Sequence, residues 1–586
     1  MLVLVVLWIV LALLCACAGL AFMGPAASLF VRTGDRLLFA SFLGLAVIGA
    51  ILLAWSLVAP VTPVALASCA VLALAGVAGQ RAARASVLEA ADDRGLAAQL
   101  GGILVLALLL AERSTVAGNL NDAGAYHVGI IRWLSEYGTV RGMALIQDRF
   151  GFVSSWLAWS AALDHGELAG RIGTAMSGLL LLLCLGQLLL VTLRVWRQRV
   201  EPPDLFVLLA WLVLLPSFLN WDQRPSPSPD IPALVFGIVA AWAILVIESQ
   251  ATQPAVSRAR LMVLLVALGA LLVKLSAAPL VAACGLYFVW AQSRVWPARL
   301  GAASLAGVVF FGVLAAAGLV SSGCAFFPWS GLCTDVPWSI GRDSAEHAAK
   351  IVHDWALGSF DRPQLHGTAL LAAWIDQNRD LARWIVLSAI AGAWLLFRRR
   401  RLDIPGVGWA STIGVIGVPF FLITAPAGRF GWSYLVVLPL LALLSVRAWL
   451  AKTLLRWIAN PVARRRLGIV LTALLAIDVT APFYKEFINS ESRAKTYESV
   501  ARRKQGDPAA NALNLRWWLL PNQYADLPGF AMGRAYDFDY AVPPRDTGMC
   551  WHHALPCTYQ DLARVRLIDP GLGLSGGFER VRSTAR

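Results

Sequence analysis

Residues 1–22 carry no charged side chain, and apolar runs of similar length recur along the chain as far as residue 482. A stretch of about 20 apolar residues is what an α-helix needs to cross the hydrocarbon core of a bilayer. There the backbone must pair its own N–H and C=O groups, so each run is read as one spanning helix. With 58% of its 586 residues hydrophobic and 14% charged, the chain is too apolar for a soluble protein of this length. The fold class predicted is an all-α polytopic membrane protein.

Single spans are expected near 1–22, 37–59, 62–80, 98–112, 171–193, 204–220, 231–248, 300–320, 382–397, 406–424, 431–450 and 467–482. Residues 261–293 are too long for one span and short for two. Arg258 and Arg260 precede them and Arg294 and Arg299 follow, which places both ends on one side. The stretch therefore predicts a hairpin of two short helices breaking around Lys274-Leu-Ser-Ala-Ala-Pro279, where proline interrupts a helix. The total is about 12–14 transmembrane helices. Residues 1–22 lack a basic leading segment, so they read as a span and not as a cleaved signal peptide.

The balance of 49 Lys and Arg against 35 Asp and Glu gives a net charge of +14. The basic residues do not form a nucleic-acid-binding face; they cluster between apolar runs, as cytoplasmic loops do. Under the segmentation above, Arg32/Arg36, Arg81/Arg84, Arg194/Arg197/Arg199, Arg398 to Arg401 and Arg464 to Arg466 share one side. The opposite short loops at 60–64, 221–230 and 425–430 hold only Arg224 and Arg429. The N-terminus, the loops 113–170 and 321–381 and the tail from 483 are therefore expected to face outward. Three parts follow: an N-terminal three-span extension (1–97), a transmembrane core (98–482) and an outward C-terminal domain (483–586). The last mixes short amphipathic pieces with Pro, Gly and aromatic clusters and is predicted to be a small α/β domain. The lack of an internal repeat counts against transporter folds built from two similar halves.

Five of the nine cysteines, Cys15, Cys17, Cys69, Cys184 and Cys284, lie inside apolar runs and read as small hydrophobes. The others form two close pairs in polar surroundings, Cys324 with Cys333 and Cys550 with Cys557. Both fall on the outward side, which suggests disulfides. The alternative for the second pair is zinc held with His552 and His553, although the spacing fits no familiar zinc module.

Asn119-Leu-Asn-Asp-Ala-Gly-Ala-Tyr-His127 opens the first long outward loop. From Tyr126 onward, Ile130, Trp133, Leu134 and Tyr137 recur at helical spacing and Gly138 ends the run, marking a helix expected to lie in the membrane interface. Asp122 could be its cap or a catalytic carboxylate, while Tyr126 and His127 could be anchors or substrate contacts. Arg149, Ser154 and Ser155 follow at 147–156, and Asp222, Arg224 and Asp230 lie in a proline-stiffened turn. Lys274 within an apolar hairpin costs roughly 2.5–3.5 kcal/mol to insert unless it finds a partner, and a phosphate would be one. Arg429 can grip phosphate with its planar fork or snorkel to lipid headgroups.

A span leading to an outward Asp on an amphipathic helix, then a second polar loop and many further spans, resembles the C-type superfamily of integral-membrane glycosyltransferases. The chain also resembles a bacterial family of multi-pass envelope proteins without an assigned substrate. The shared landmarks are Asp122 with Tyr126-His127, Arg149-Phe150 with Ser154-Ser155-Trp156, and Ser226-Pro-Ser-Pro-Asp230. They continue with Lys274-Leu-Ser276, Ser322-Gly-Cys324 with Pro328 and Cys333, and Cys550-Trp551 with Pro556-Cys557. This likeness covers residue 98 to the end. It departs from the superfamily in the three spans that precede the one leading to Asp122.

The resemblance implies a polyprenyl-phosphate-linked sugar donor and a lipid, glycan or protein acceptor at the periplasmic face of a bacterial cytoplasmic membrane. Asp122 would act as base or orient the acceptor. Lys274, Arg429 and Arg149 would meet the phosphate, and Asp230 would hold the acceptor, the sugar or a divalent cation. Two other readings use the same residues: a polysaccharide polymerase or ligase, and a lipid or solute transporter with Lys274 in its path.

Overall fold

The computed structural model describes residues 2–445 and 529–581 apart from 115–121, 172, 174, 219–225, 253–254, 292–294, 399–402 and 546–547, with a few positions between 460 and 469. The span expected at 467–482, the start of the outward tail, Asn121, Asp222 and Arg224 lie outside them.

The chain opens with α1 (Leu2–Met23) and α2 (Thr33–Trp55). These two pack closely because Gly19 and Gly44 meet bare backbone: a Cβ on Gly19 would overlap the carbonyl of Ala40, and one on Gly44 that of Cys15. Small residues let helices approach this way where lipid gives no hydrophobic drive to associate. Next come α3 (Pro63–Gly79) and α4 (Arg81–Asp92), joined at a bend of 96°. The second of the pair is polar on one side. After α5 (Arg94–Ser114) comes the loop region, with a π-turn at Ala123–His127, α6 (Val128–Glu136), α7 (Met143–Ile146) and α8 (Ser155–Ala161).

The bundle continues with α9 (Ala175–Trp196), α10 (Pro202–Phe218), α11 (Asp230–Ser249), α12 (Val256–Val273), α13 (Ala278–Trp290) and α14 (Trp296–Ser322). A disulfide-closed hairpin of β1 (Cys324–Phe326) and β2 (Trp329–Cys333) follows, then α15 (Arg342–Leu357) and α16 (Gly367–Gln377). The described bundle ends with α17 (Arg379–Arg398), α18 (Val407–Thr424) and α19 (Gly428–Ser445). Among the described residues nine helices are long and apolar enough to cross a membrane, ten if α3 and α4 count as one span. Three shorter apolar helices accompany them, at Gly95–Ala111, Pro202–Phe218 and Leu275–Trp290. The expected hairpin is present, but only its second helix is short, since α12 is one of the nine long ones. Lys274 is extended between α12 and a single 3-10 turn, and Pro279 sits in the first turn of α13, where a missing N–H costs nothing.

Helix direction sorts the charges between the two ends of the bundle. At one end Arg194 bridges Asp35 and Asp204, both at 2.6 Å, Arg32 also reaches Asp204 at 2.6 Å, and Arg260 pairs with Glu248 at 2.7 Å. The other end carries Asp122, Asp230, Lys274 and Arg429.

One expectation needs correction. The helix after Asp122 buries the expected side chains, Ile130, Trp133 and Leu134, and Gly138 stops it at φ 78°. Protein covers that face where lipid was expected: α6 packs on α8, and the Trp133 indole meets the Phe578 ring edge-on at 5.7 Å. In the tail, the described residues form two antiparallel hairpins, β3 (Ala531–Arg534) with β4 (Asp539–Val542) and β5 (Val565–Leu567) with β6 (Phe578–Arg580). Among the described residues a single 3-10 turn, Gly573–Gly576, accompanies these strands, and the first part of the expected α/β domain lies outside those residues. Cys550 and Cys557 are bonded to each other, which leaves no thiolate for the zinc alternative. His552 pairs with Asp164 at 3.0 Å, and His553 stacks on Phe530.

Candidate functional site

Asp122 leads into the π-turn with a helical backbone, and its side chain caps nothing. The capping alternative is thereby overturned. Its carboxylate instead accepts from two guanidinium groups, Arg429 Nη1 at 2.9 Å and Arg149 Nη1 at 3.4 Å. Arg149 comes from the 3-10 turn Asp148–Gly151 and lies over the Tyr126 ring, 5.4 Å from its centre. Arg429 stands in the first turn of α19 under the Trp355 indole, 4.2 Å from its centre.

Behind this pair lies a second. Asp230 begins α11 at the end of a stiff stalk, where Ser226 Oγ accepts from the Ser228 N–H and Ser228 Oγ from the Asp230 N–H. Its carboxylate pairs with Lys274 and lies 3.7 Å from Arg429 Nε. The Lys274 ammonium also sits 4.0 Å over the Phe430 ring. Lys274 thus finds in Asp230 a partner that offsets its insertion cost, where sequence alone pointed to a phosphate. Arg149, Asp122, Arg429, Asp230 and Lys274 form one line of alternating charge with a surplus positive charge. Asp230 is 7% exposed, while Asp122, Arg149, Arg429 and Lys274 are 26–37% exposed. Solvent therefore reaches those four far more than Asp230.

Tyr126 and His127 lie one turn on, with ring centres 4.2 Å apart. Tyr126 backs Arg149. His127 is 2% exposed and its Nδ1 has no hydrogen-bond partner among the described residues. Burial, with Lys274 and Arg429 adding to it, pushes this imidazole down to about 4 against the opposing pull of Asp122 and Asp230. It is neutral near pH 7 and lines the site from behind. Burial also holds the Tyr126 phenol well above its ordinary range.

Ser154 serves structure: its Oγ accepts the Trp156 N–H at 3.2 Å, capping α8, and donates to the Val273 carbonyl at 2.8 Å. Ser155 is buried in α8. Sequence reasoning missed Trp355 and Phe430, the aromatic faces of the cations, because nothing in a lone Trp on α15 tells which cation it will cover. It also missed Gln147, whose Nε2 donates to the Ala125 carbonyl at 3.1 Å. As for a divalent cation, no three His, Cys, Asp or Glu among the described residues are grouped to hold a metal. Asp122 and Asp230 are the acids at hand, and three cations already engage them; this set does not fit a divalent ion.

A family model described as a domain of unknown function (DUF8201) matches residues 1–436. The chain belongs to this family. No curated protein and no solved structure matches it. The DUF8201 match takes in the three N-terminal spans and reaches just past Arg429, so every charged member of the line lies inside it. The tail, with Trp551, lies beyond.

Proposed function

We propose that this chain is a membrane glycosyltransferase that moves a sugar from a polyprenyl-phosphate carrier to an acceptor hydroxyl of a lipid, glycan or protein. The observation that carries the reading is Asp122 held between Arg149 and Arg429 at the rim of an apolar bundle, with Lys274 alongside. A carboxylate that caps nothing, beside a surplus cation within reach of lipid, suits an anionic lipid headgroup. Unit charges about 4 Å apart near a protein surface attract by about 4 kcal/mol. A phosphate arriving at Arg149 and Arg429 therefore competes with Asp122 for them and frees its carboxylate.

The acceptor oxygen then attacks the sugar's anomeric carbon, the bond from that carbon to the phosphate oxygen breaks, and the electron pair leaves with the polyprenyl phosphate. Asp122 takes the hydroxyl proton. The donor is a phosphodiester with one negative charge and the departing monoester gains a second, so Arg149, Arg429 and Lys274 bind the transition state more tightly than the donor. Asp230 holds Lys274 and Arg429 in place without touching substrate.

The charges and the disulfides support one orientation. The arginine-rich end faces the cytoplasm and the site faces the periplasm of a bacterial cytoplasmic membrane. Cys324–Cys333 and Cys550–Cys557 lie at the site end, as an oxidising compartment requires.

The test is binding of polyprenyl phosphate to the full chain in nanodiscs, followed by transfer from a radiolabelled polyprenyl-phosphate hexose to envelope acceptors. Saturable binding that weakens in Arg429→Ala and in Lys274→Met is expected. Binding absent, or indifferent to both substitutions, overturns the reading.

A further inference from the structure

A one-residue offset turns a side chain by about 100° around a helix axis. The direction of the Asp122 carboxylate therefore depends on the π-turn Ala123–His127 keeping its register. Such turns are rare insertions in an α-helix and displace carbonyls from their helical partners. Two successive carbonyls of this turn accept from outside the helix: Gly124 O from the Trp551 N–H at 2.9 Å, and Ala125 O from Gln147 Nε2 at 3.1 Å.

Trp551 comes from the far end of the chain. Its indole lies flat on Gly124, where any Cβ would overlap the ring, and it is 3% exposed. Its backbone is left-handed at φ 45°, a conformation a bulky residue adopts only where its surroundings hold it. Those surroundings are the Cys550–Cys557 disulfide, Arg132 Nη1 donating to the carbonyls of His552 and His553, and the hydrogen bond between His552 Nε2 and Asp164 at 3.0 Å. The tail thus grips the site helix within the turn, at Gly124, and beyond it, at Arg132.

We infer that Trp551 is a positioning residue: its indole and N–H lock the π-turn in the register that aims Asp122 at Arg149 and Arg429. The clamp stands on geometry alone. Its effect on turnover rests on the proposed transferase reading.

The test places cysteines at Asp122→Cys and Arg149→Cys in the full chain in nanodiscs and joins them with a short bis-maleimide, reading yield by peptide mass mapping. Cross-linking is expected with Trp551 present and retained in Trp551→Phe, which keeps a ring on Gly124. It should fall to background in Trp551→Ala and in Gly124→Ala, the second variant covering the case in which the first does not accumulate. Undiminished cross-linking in whichever of these two accumulates overturns the clamp. In the native-site protein, Trp551→Ala should lower kcat about 100-fold with donor KM unchanged, as misplacement by about 1 Å does. If wild-type protein binds no polyprenyl phosphate, the transferase reading fails while the cross-link still decides the clamp.

Discussion

Arg429 Nη1 and Asp122 Oδ2, 307 residues apart in sequence, meet at 2.9 Å. Asp122 opens a π-turn in a loop and Arg429 opens a helix of the bundle, so this contact ties the loop region to the spans. Arg149 holds the other carboxylate oxygen, which leaves the site charged, bridged and partly open to solvent.

Asp122→Asn should keep the fold and remove the chemistry. The side chain caps no helix, so membrane abundance is expected to match wild type. Transfer from a polyprenyl-phosphate sugar should fall by roughly two to four orders of magnitude, the range of a positioned acid or base. Wild-type transfer rates in this variant would remove Asp122 from the mechanism.

Lys274 and Asp230 should be coupled. Lys274→Met leaves Asp230 buried with Arg429 3.7 Å away as its remaining cation, at a cost of about 3 kcal/mol, the low end for breaking a buried pair. Asp230→Asn in the same chain should recover part of that loss. Thermal unfolding in nanodiscs of both single variants and the double variant measures it, and additive losses would show that the pair does not interact.

Acid should destabilise the chain through His127. Its folded-state pKa, about 4, lies below the ordinary 6.5, so the unfolded chain binds the extra proton first. The contribution is complete above about pH 6.5 and is lost as pH falls through 4, to a limit of about 3 kcal/mol. His127→Gln should flatten the difference in melting temperature between pH 7.5 and pH 4. An unchanged difference would place the acid sensitivity elsewhere.

The topology prediction joins orientation to the cysteines. Alkaline phosphatase fused after Ser490, which precedes the described tail, should be active, and a cytoplasmic reporter there silent. Non-reducing peptide mapping should recover both disulfides, and removing either should cost about 2.5 kcal/mol for loops of 7 to 9 residues. Free thiols at all four positions together with an inactive fusion would reverse the orientation.

The sequence by itself determined the helical membrane class, the break at Lys274, the stop at Gly138 and the segregation of arginine clusters. Each is local: an apolar run of bilayer length, a proline in the first turn of a helix or a glycine at positive φ carries its cause within a few residues. It also singled out Asp122, Tyr126, His127, Arg149, Asp230, Lys274 and Arg429 as residues in unusual places. Only the tertiary structure decided what each of them meets. Asp122 reads as a cap until Arg149 and Arg429 arrive from other elements, and Lys274 reads as a phosphate site until Asp230 supplies its counter-charge. The covering of the Trp133 face by Phe578, and of Gly124 by Trp551, was equally out of reach. Periodicity shows that a face is apolar, and the long-range packing of the folded chain settles whether lipid or protein lies against it.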